Sequence, residues 1–179
     1  MKLYVMRHGL TDWNLNNRIQ GQKDIELNEI GIKQAKDTKE IFNSYNFDLI
    51  LSSPLKRTRQ TTEIINQDKN TKIVYDDALI ERFLGDYEGL CTEIEEDLIY
   101  NYNLNLKENN IEPVVKLCER VFQLLNYIKE NYRNEKILLV THSGTARAIE
   151  AYFYGIGENG DLPPENLKNC EIREYTFRD

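Results

Sequence analysis

Short apolar runs set between stretches of helical periodicity constrain this chain more than any other feature. Leu3–Met6, Leu49–Leu51, Ile73–Tyr75 and Ile137–Val140 are too short for helices and too apolar for exposed strands. Between them the spacing predicts helices. One runs from a cap at Asn28 to Phe42, and another starts with Ser53 as N-cap and Pro54 in the first turn and reaches about Asn66. A third opens at Pro113 and puts Val114, Leu117, Cys118, Val121, Leu125 and Ile128 on one face, and a fourth runs to Tyr154. Strand and helix in alternation imply an α/β fold, a three-layer α/β/α sandwich around a mostly parallel sheet. Glu171–Phe177 is expected to close one edge of that sheet.

At 179 residues, with no internal repeat and no linker-like stretch, the chain reads as a single domain over 1–179. A polar segment over about 90–112, rich in Asn, Glu and Tyr, is expected to be a partly helical excursion covering the site. The formal net charge of −7 argues against nucleic acid or an anionic membrane as a partner, because both are polyanions. Cys91, Cys118 and Cys170 are scattered and form no C-x-x-C pair, so neither a zinc knuckle nor a disulfide framework is expected. Met1-Lys2 leads straight into the first apolar run, with no signal-like stretch, and the expected location is the cytoplasm.

The chain has only two histidines. His8 follows the first apolar run and His142 follows the fourth, and each has a glycine within two residues. Ligands of open parallel sheets sit beyond the carboxyl ends of the strands, so both imidazoles stand where active sites form. No H-E-x-x-H, G-x-S-x-G or Walker-type loop accompanies them. Arg7 precedes His8, and Arg57 lies in the first turn after the second run. Guanidinium groups bind phosphate oxygens through paired donors, so phosphoryl chemistry is expected there.

Five ordered blocks resemble the histidine phosphatase, or phosphoglycerate mutase-like, superfamily. Arg7-His8-Gly9-Leu10-Thr11-Asp12-Trp13-Asn14 is similar to its R-H-G-x-T-x-x-N signature. Gln20-Gly21-Gln22-Lys23-Asp24 with Leu27 and Gly31 resembles the next block, and Ser52 to Thr61 resembles S-S-x-L-x-R-x-x-Q-T. Leu79-Ile80-Glu81 with Gly85 and Glu88-Gly89, then Val140-Thr141-His142-Ser143-Gly144, complete the series.

The resemblance implies a metal-independent phosphomonoester hydrolase, without cofactor, acting on a small phosphorylated metabolite. His8 is then the nucleophile, and Arg7, Arg57 and His142 surround the phosphoryl oxygens. Asn14, Gln20, Gly21 and the backbone near Ser143 are expected to supplement phosphate binding, and Glu81 to act as acid and base. Arg82, Tyr100 and Tyr102 are candidates for substrate selectivity, with Arg82 either contacting a second anionic group or simply solvated. A cofactor-dependent mutase uses the same pocket, but only 23 residues separate Gly89 from Pro113, which favours the phosphatase. An inactive phospho-ligand-binding regulator is the third alternative. A sugar phosphate, a nucleotide and an α-ribazole-like phosphate suit the polar segment equally.

Overall fold

The computed structural model describes residues 1–92, 99–104, 110–164 and 167–178. These form strands β1 (Lys2–Arg7), β2 (Leu49–Ser52), β3 (Lys72–Tyr75), β4 (Ile137–Thr141) and β5 (Ile172–Thr176). The helices are α1 (Asp12–Leu15), α2 (Glu29–Phe42), α3 (Lys56–Asn66), α4 (Val114–Asn131) and α5 (Ser143–Tyr154). The sheet order is β3-β2-β4-β1-β5, parallel throughout except for β5, which pairs antiparallel with β1 at the edge. The expected closing strand is thus present.

Period-two alternation splits the strand residues between two cores. Leu3, Val5, Leu49, Leu51, Ile137 and Leu139 face α4 and α5 in one cluster. Tyr4, Met6, Ile50, Leu138 and Val140 face Phe42 of α2 and Ile65 of α3 in the other. Interior strands covered on both faces explain the continuous apolar runs. All six residues expected on the core face of α4 are buried, and Leu124 joins them. Burying such side chains contributes about 1.5–3 kcal/mol each. Of the late aromatics, Phe153 stacks on Tyr175 with ring centroids 5.0 Å apart, whereas Tyr154 is exposed.

α2 starts where expected: the Asn28 side chain accepts from Gly31 N. α3 does not. Its N-cap is Leu55 rather than Ser53, its first residue is Lys56, and Leu55 offers no side-chain cap. The cap comes from elsewhere in the chain, because Asp24 Oδ1 accepts from Lys56 N at 2.6 Å. Ser53 is thereby free for another partner. Of the excursion expected over 90–112, residues 93–98 and 105–109 lie outside the described residues. Within it, Asn101 bridges Asp161, and Tyr102 N donates to Gly160 O. No helix among the described residues is long and apolar enough to cross a membrane.

Candidate active site

Three adjacent strands end at one place. β1 pairs with β4 so that Arg7 lies opposite Thr141, and β2 pairs with β4 so that Ser52 lies opposite Val140. His8, Ser53 and His142 are therefore the first residues beyond neighbouring strand ends. Backbone bonds fix the exits: His8 N donates to Thr141 O at 3.1 Å and Ser53 N to Val140 O at 3.0 Å. Although 134 positions apart in sequence, the two imidazole centroids are 5.2 Å apart.

Arg57, from the first turn of α3, reaches between them. Its Nε–H is shared by His8 Nε2 at 3.3 Å and His142 Nδ1 at 3.1 Å. Its terminal nitrogens donate to Lys23 O and Gly21 O, both at 2.7 Å. A guanidinium only donates, so both imidazole nitrogens facing it carry lone pairs. His8 Nδ1 lies 2.7 Å from Gly9 O, which only accepts, so that nitrogen holds the proton. His142 Nε2 holds its proton likewise and donates to Ser53 Oγ at 2.8 Å. The remaining ties hold His8 in place. Gly9 N donates to Thr61 Oγ1, Thr61 Oγ1 donates to Arg57 O, and Asn169 Nδ2 donates to His8 O.

The site is buried: His8 is 3% exposed, Arg57 1% and His142 not at all. Burial, then Arg57 and Arg7, hold the His8 imidazolium far below its ordinary range. Burial, then Arg57, His8, Arg7 and Arg120, do the same for His142. Burial also pushes Arg57 down to about 10, against the pull of Glu81, Asp24 and Glu88. At neutral pH both rings are neutral and the guanidinium charged.

Glu81, only 8% exposed, is no solvated loop carboxylate. The N-cap of α5 is His142, which offers no side-chain cap. Glu81 supplies it: Oε2 accepts from Gly144 N and Oε1 from Thr145 N, both at 3.1 Å, and Oε1 also accepts from Arg82 N. Gly144 makes room, since a Cβ there would lie 2.7 Å from Glu81 Oε1 and 2.5 Å from the Tyr100 hydroxyl.

A family model for the histidine phosphatase superfamily, branch 1, matches residues 3–179. The chain belongs to the histidine phosphatase superfamily. It is 39% identical to a Bacillus subtilis phosphatase, PhoE, over 97% of this chain and 90% of that protein. Its fold matches a mycobacterial glucosyl-3-phosphoglycerate phosphatase solved with VO3 at a TM-score of 0.79 and 27% identity, covering 97% and 91% of the two chains. It also matches a mutant phosphoserine phosphatase of Entamoeba histolytica solved with phosphoserine, at 0.76 and 28%, covering 99% and 91%.

Other candidate residues take varied positions in this histidine phosphatase. Arg7 donates to Leu167 O at 3.2 Å beside His8. Asn14 turns its carbonyl back to accept from Thr11 N in a capping box, and Gln20 Oε1 lies 3.0 Å from the Thr11 hydroxyl. Gly21, at φ +49°, offers its carbonyl to Arg57, and a side chain there would collide with Glu88. Ser143 opens α5, but the next two amides are taken by Glu81.

Arg82 is neither solvated nor surface-directed. It is wholly buried and braces the loop by donating to Ile99 O and, at 2.7 Å, to Glu112 O. Tyr100 lies between two guanidiniums, with Arg147 4.1 Å and Arg82 5.4 Å from its ring centroid. Tyr102 is half-buried against the α4–α5 core. Sequence reasoning missed Ser53 as a partner of His142, Asp24 as the cap of α3 and Thr61 as the tie to Gly9. All three lie in the quoted blocks, which was the only signal for them.

Proposed function

We propose that this protein is a metal-independent phosphomonoester hydrolase that works through a covalent phosphohistidine on His8. The proposal rests on one observation: a neutral imidazole whose Nε2 lone pair faces Arg57, the charged donor that the two histidines share. A nucleophilic imidazole must be unprotonated at the attacking nitrogen, and burial keeps it so.

Nε2 of His8 attacks phosphorus in line, forming the N–P bond as the ester P–O bond breaks. Arg57 and Arg7 stabilise the charge on the equatorial oxygens, with His142 holding Arg57 through its Nδ1 lone pair and Asn14, Gln20, Gly21 and Ser143 around them. Arg57, beside both histidines, supplies the positive charge of the site. Glu81 hands a proton to the leaving oxygen, then takes one from the water that hydrolyses the phosphohistidine and releases inorganic phosphate. Among the described residues its Oε2 accepts from Gly144 N alone, whereas Oε1 accepts from two amides, so Oε2 is the oxygen able to carry that proton.

The substrate class is a small phosphorylated metabolite, whose phosphoryl group must reach a nucleophile that is 3% exposed. Similarity to the PhoE phosphatase and to the glucosyl-3-phosphoglycerate and phosphoserine phosphatases supports hydrolysis of this class. Tyr100, whose hydroxyl lies over Gly144, senses the leaving group in this reading. Arg82 serves selectivity only by holding Tyr100's segment.

The test is hydrolysis of para-nitrophenyl phosphate in EDTA, with acid-labile ³²P on the protein, for wild type and His8→Ala. Hydrolysis that survives EDTA, with transient label, both lost in the variant, is expected. Equal hydrolysis in the two proteins sinks the proposal. Stable label discharged only by a monophosphoglycerate replaces it with the mutase.

A further inference from the structure

We infer that Ser53 is a positioning residue that fixes the tautomer of His142, so that Nδ1 keeps its lone pair and holds Arg57 beside His8 at the phosphoryl site. The inference rests on the phosphohistidine proposal only in assigning that site to phosphate.

The geometry leaves one consistent proton arrangement. Arg57 Nε–H points at His142 Nδ1 from 3.1 Å, so a proton on Nδ1 would set two donors face to face. Nε2 must then carry the proton, and a buried N–H needs an acceptor. Among the described residues that acceptor is Ser53 Oγ, 2.8 Å away, in a residue with no exposed surface.

Ser53 is itself held rigidly. Its N–H is bonded to Val140 O of the strand that delivers His142, and its carbonyl accepts from Thr58 Oγ1 at 2.9 Å. With Asp24 capping α3, the Ser53 hydroxyl is not consumed as a helix cap. Its contact with α3 is a long 3.4 Å approach from Leu55 N.

Remove the hydroxyl, and His142 has two options. It can keep an orphaned Nε2–H, or move the proton to Nδ1 and repel Arg57 from its shared position beside His8. Either way a residue that touches neither His8 nor the phosphoryl site disturbs both through His142. Partners that orient metal-bound imidazoles matter by about 10–100-fold, and a hydroxyl that orients His142 is expected to matter on that order.

Two histidines in the whole chain make the test clean, because ¹⁵N–¹H correlation of the ring nitrogens then shows only four nitrogens. His8→Asn assigns the pairs. In the wild type, His142 is expected to show a protonated Nε2 and a bare Nδ1. In Ser53→Ala the two nitrogens should move toward a tautomer average, and kcat for para-nitrophenyl phosphate should fall about 10–100-fold.

A protonated Nδ1 in the wild type overturns the inference without any variant, and so decides the matter even if Ser53→Ala does not fold. An alanine variant with the wild-type tautomer also overturns it, whatever its kcat, since a lost rate would then come from packing. A changed tautomer at full kcat overturns the catalytic consequence. Failure of the phosphohistidine proposal would appear elsewhere, as hydrolysis surviving His8→Ala, and would leave the His142 spectrum unchanged.

Discussion

Glu81 carries two duties that pull on the same carboxylate. Oε1 and Oε2 close the N-terminus of α5, yet the proposed acid role needs a proton on that group during turnover. Glu81→Gln keeps the larger part of the cap, because the amide oxygen in the place of Oε1 can still accept from Thr145 N and Arg82 N. The NH2 that replaces Oε2 loses the bond from Gly144 N, and the side chain can no longer donate a proton and retrieve it. Turnover of an alkyl phosphate, with its poor leaving group, should fall about 10²–10⁴-fold, and that of para-nitrophenyl phosphate far less, since a good leaving group departs unprotonated. An equal loss on both substrates would remove Glu81 from the acid role. His8, His142 and Arg57 were legible as residues because imidazoles and guanidiniums at strand ends are rare enough to stand out. The tautomers were not, since they depend on Gly9 O, Ser53 and Arg57 meeting in space.

At the scale of elements, the two helices that bring residues to the site share one departure from local sequence rules. α3 and α5 each start on a residue without a side-chain cap, Leu55 and His142, and each is closed by a carboxylate from far away, Asp24 and Glu81. His142, at the cap position of α5, turns its ring to Arg57 and Ser53 instead of capping. Ser53 is taken by that contact, which is why reading it as the cap of α3 failed, whereas Asn28, away from the two histidines, behaved as its type dictates. Gly144→Ala tests how tightly this junction is built. Alanine is the better helix former by about 1 kcal/mol, so helix propensity alone would raise stability. The new methyl meets Glu81 Oε1 and the Tyr100 hydroxyl at 2.7 and 2.5 Å, and Glu81 is tied down by three amides. Activity should fall on the order of 10²-fold, as a displacement near 1 Å would cause, with a urea midpoint close to that of the wild type. Unchanged activity would mean that Glu81 and Tyr100 move aside freely.

For the whole molecule, strand and helix alternation was legible from period alone, but the sheet order was not. Nothing in the runs says that β4 inserts between β2 and β1, and that insertion makes neighbours of His8, Ser53 and His142. It also seals two neutral imidazoles beneath the guanidiniums of Arg57 and Arg7, with Arg120 of α4 adding its charge at His142. The consequence for stability has a definite sign. As pH falls through about 6.5, the unfolded chain takes a proton on each histidine, while the folded chain does not until well below that value. The histidine contribution is therefore complete above about pH 6.5 and is lost as the pH falls, at about 1.4 kcal/mol per pH unit for each ring. Carboxylates add their own acid dependence, so the informative quantity is the difference between wild type and His142→Asn. Urea unfolding at pH 7.5, 6.5 and 5.5 should show the variant losing less stability over the lower interval, by about one ring's worth. Parallel pH profiles for the two proteins would mean that His142 takes up its proton over the same pH range in the folded state as in the unfolded chain, so that neither burial nor Arg57 holds it neutral.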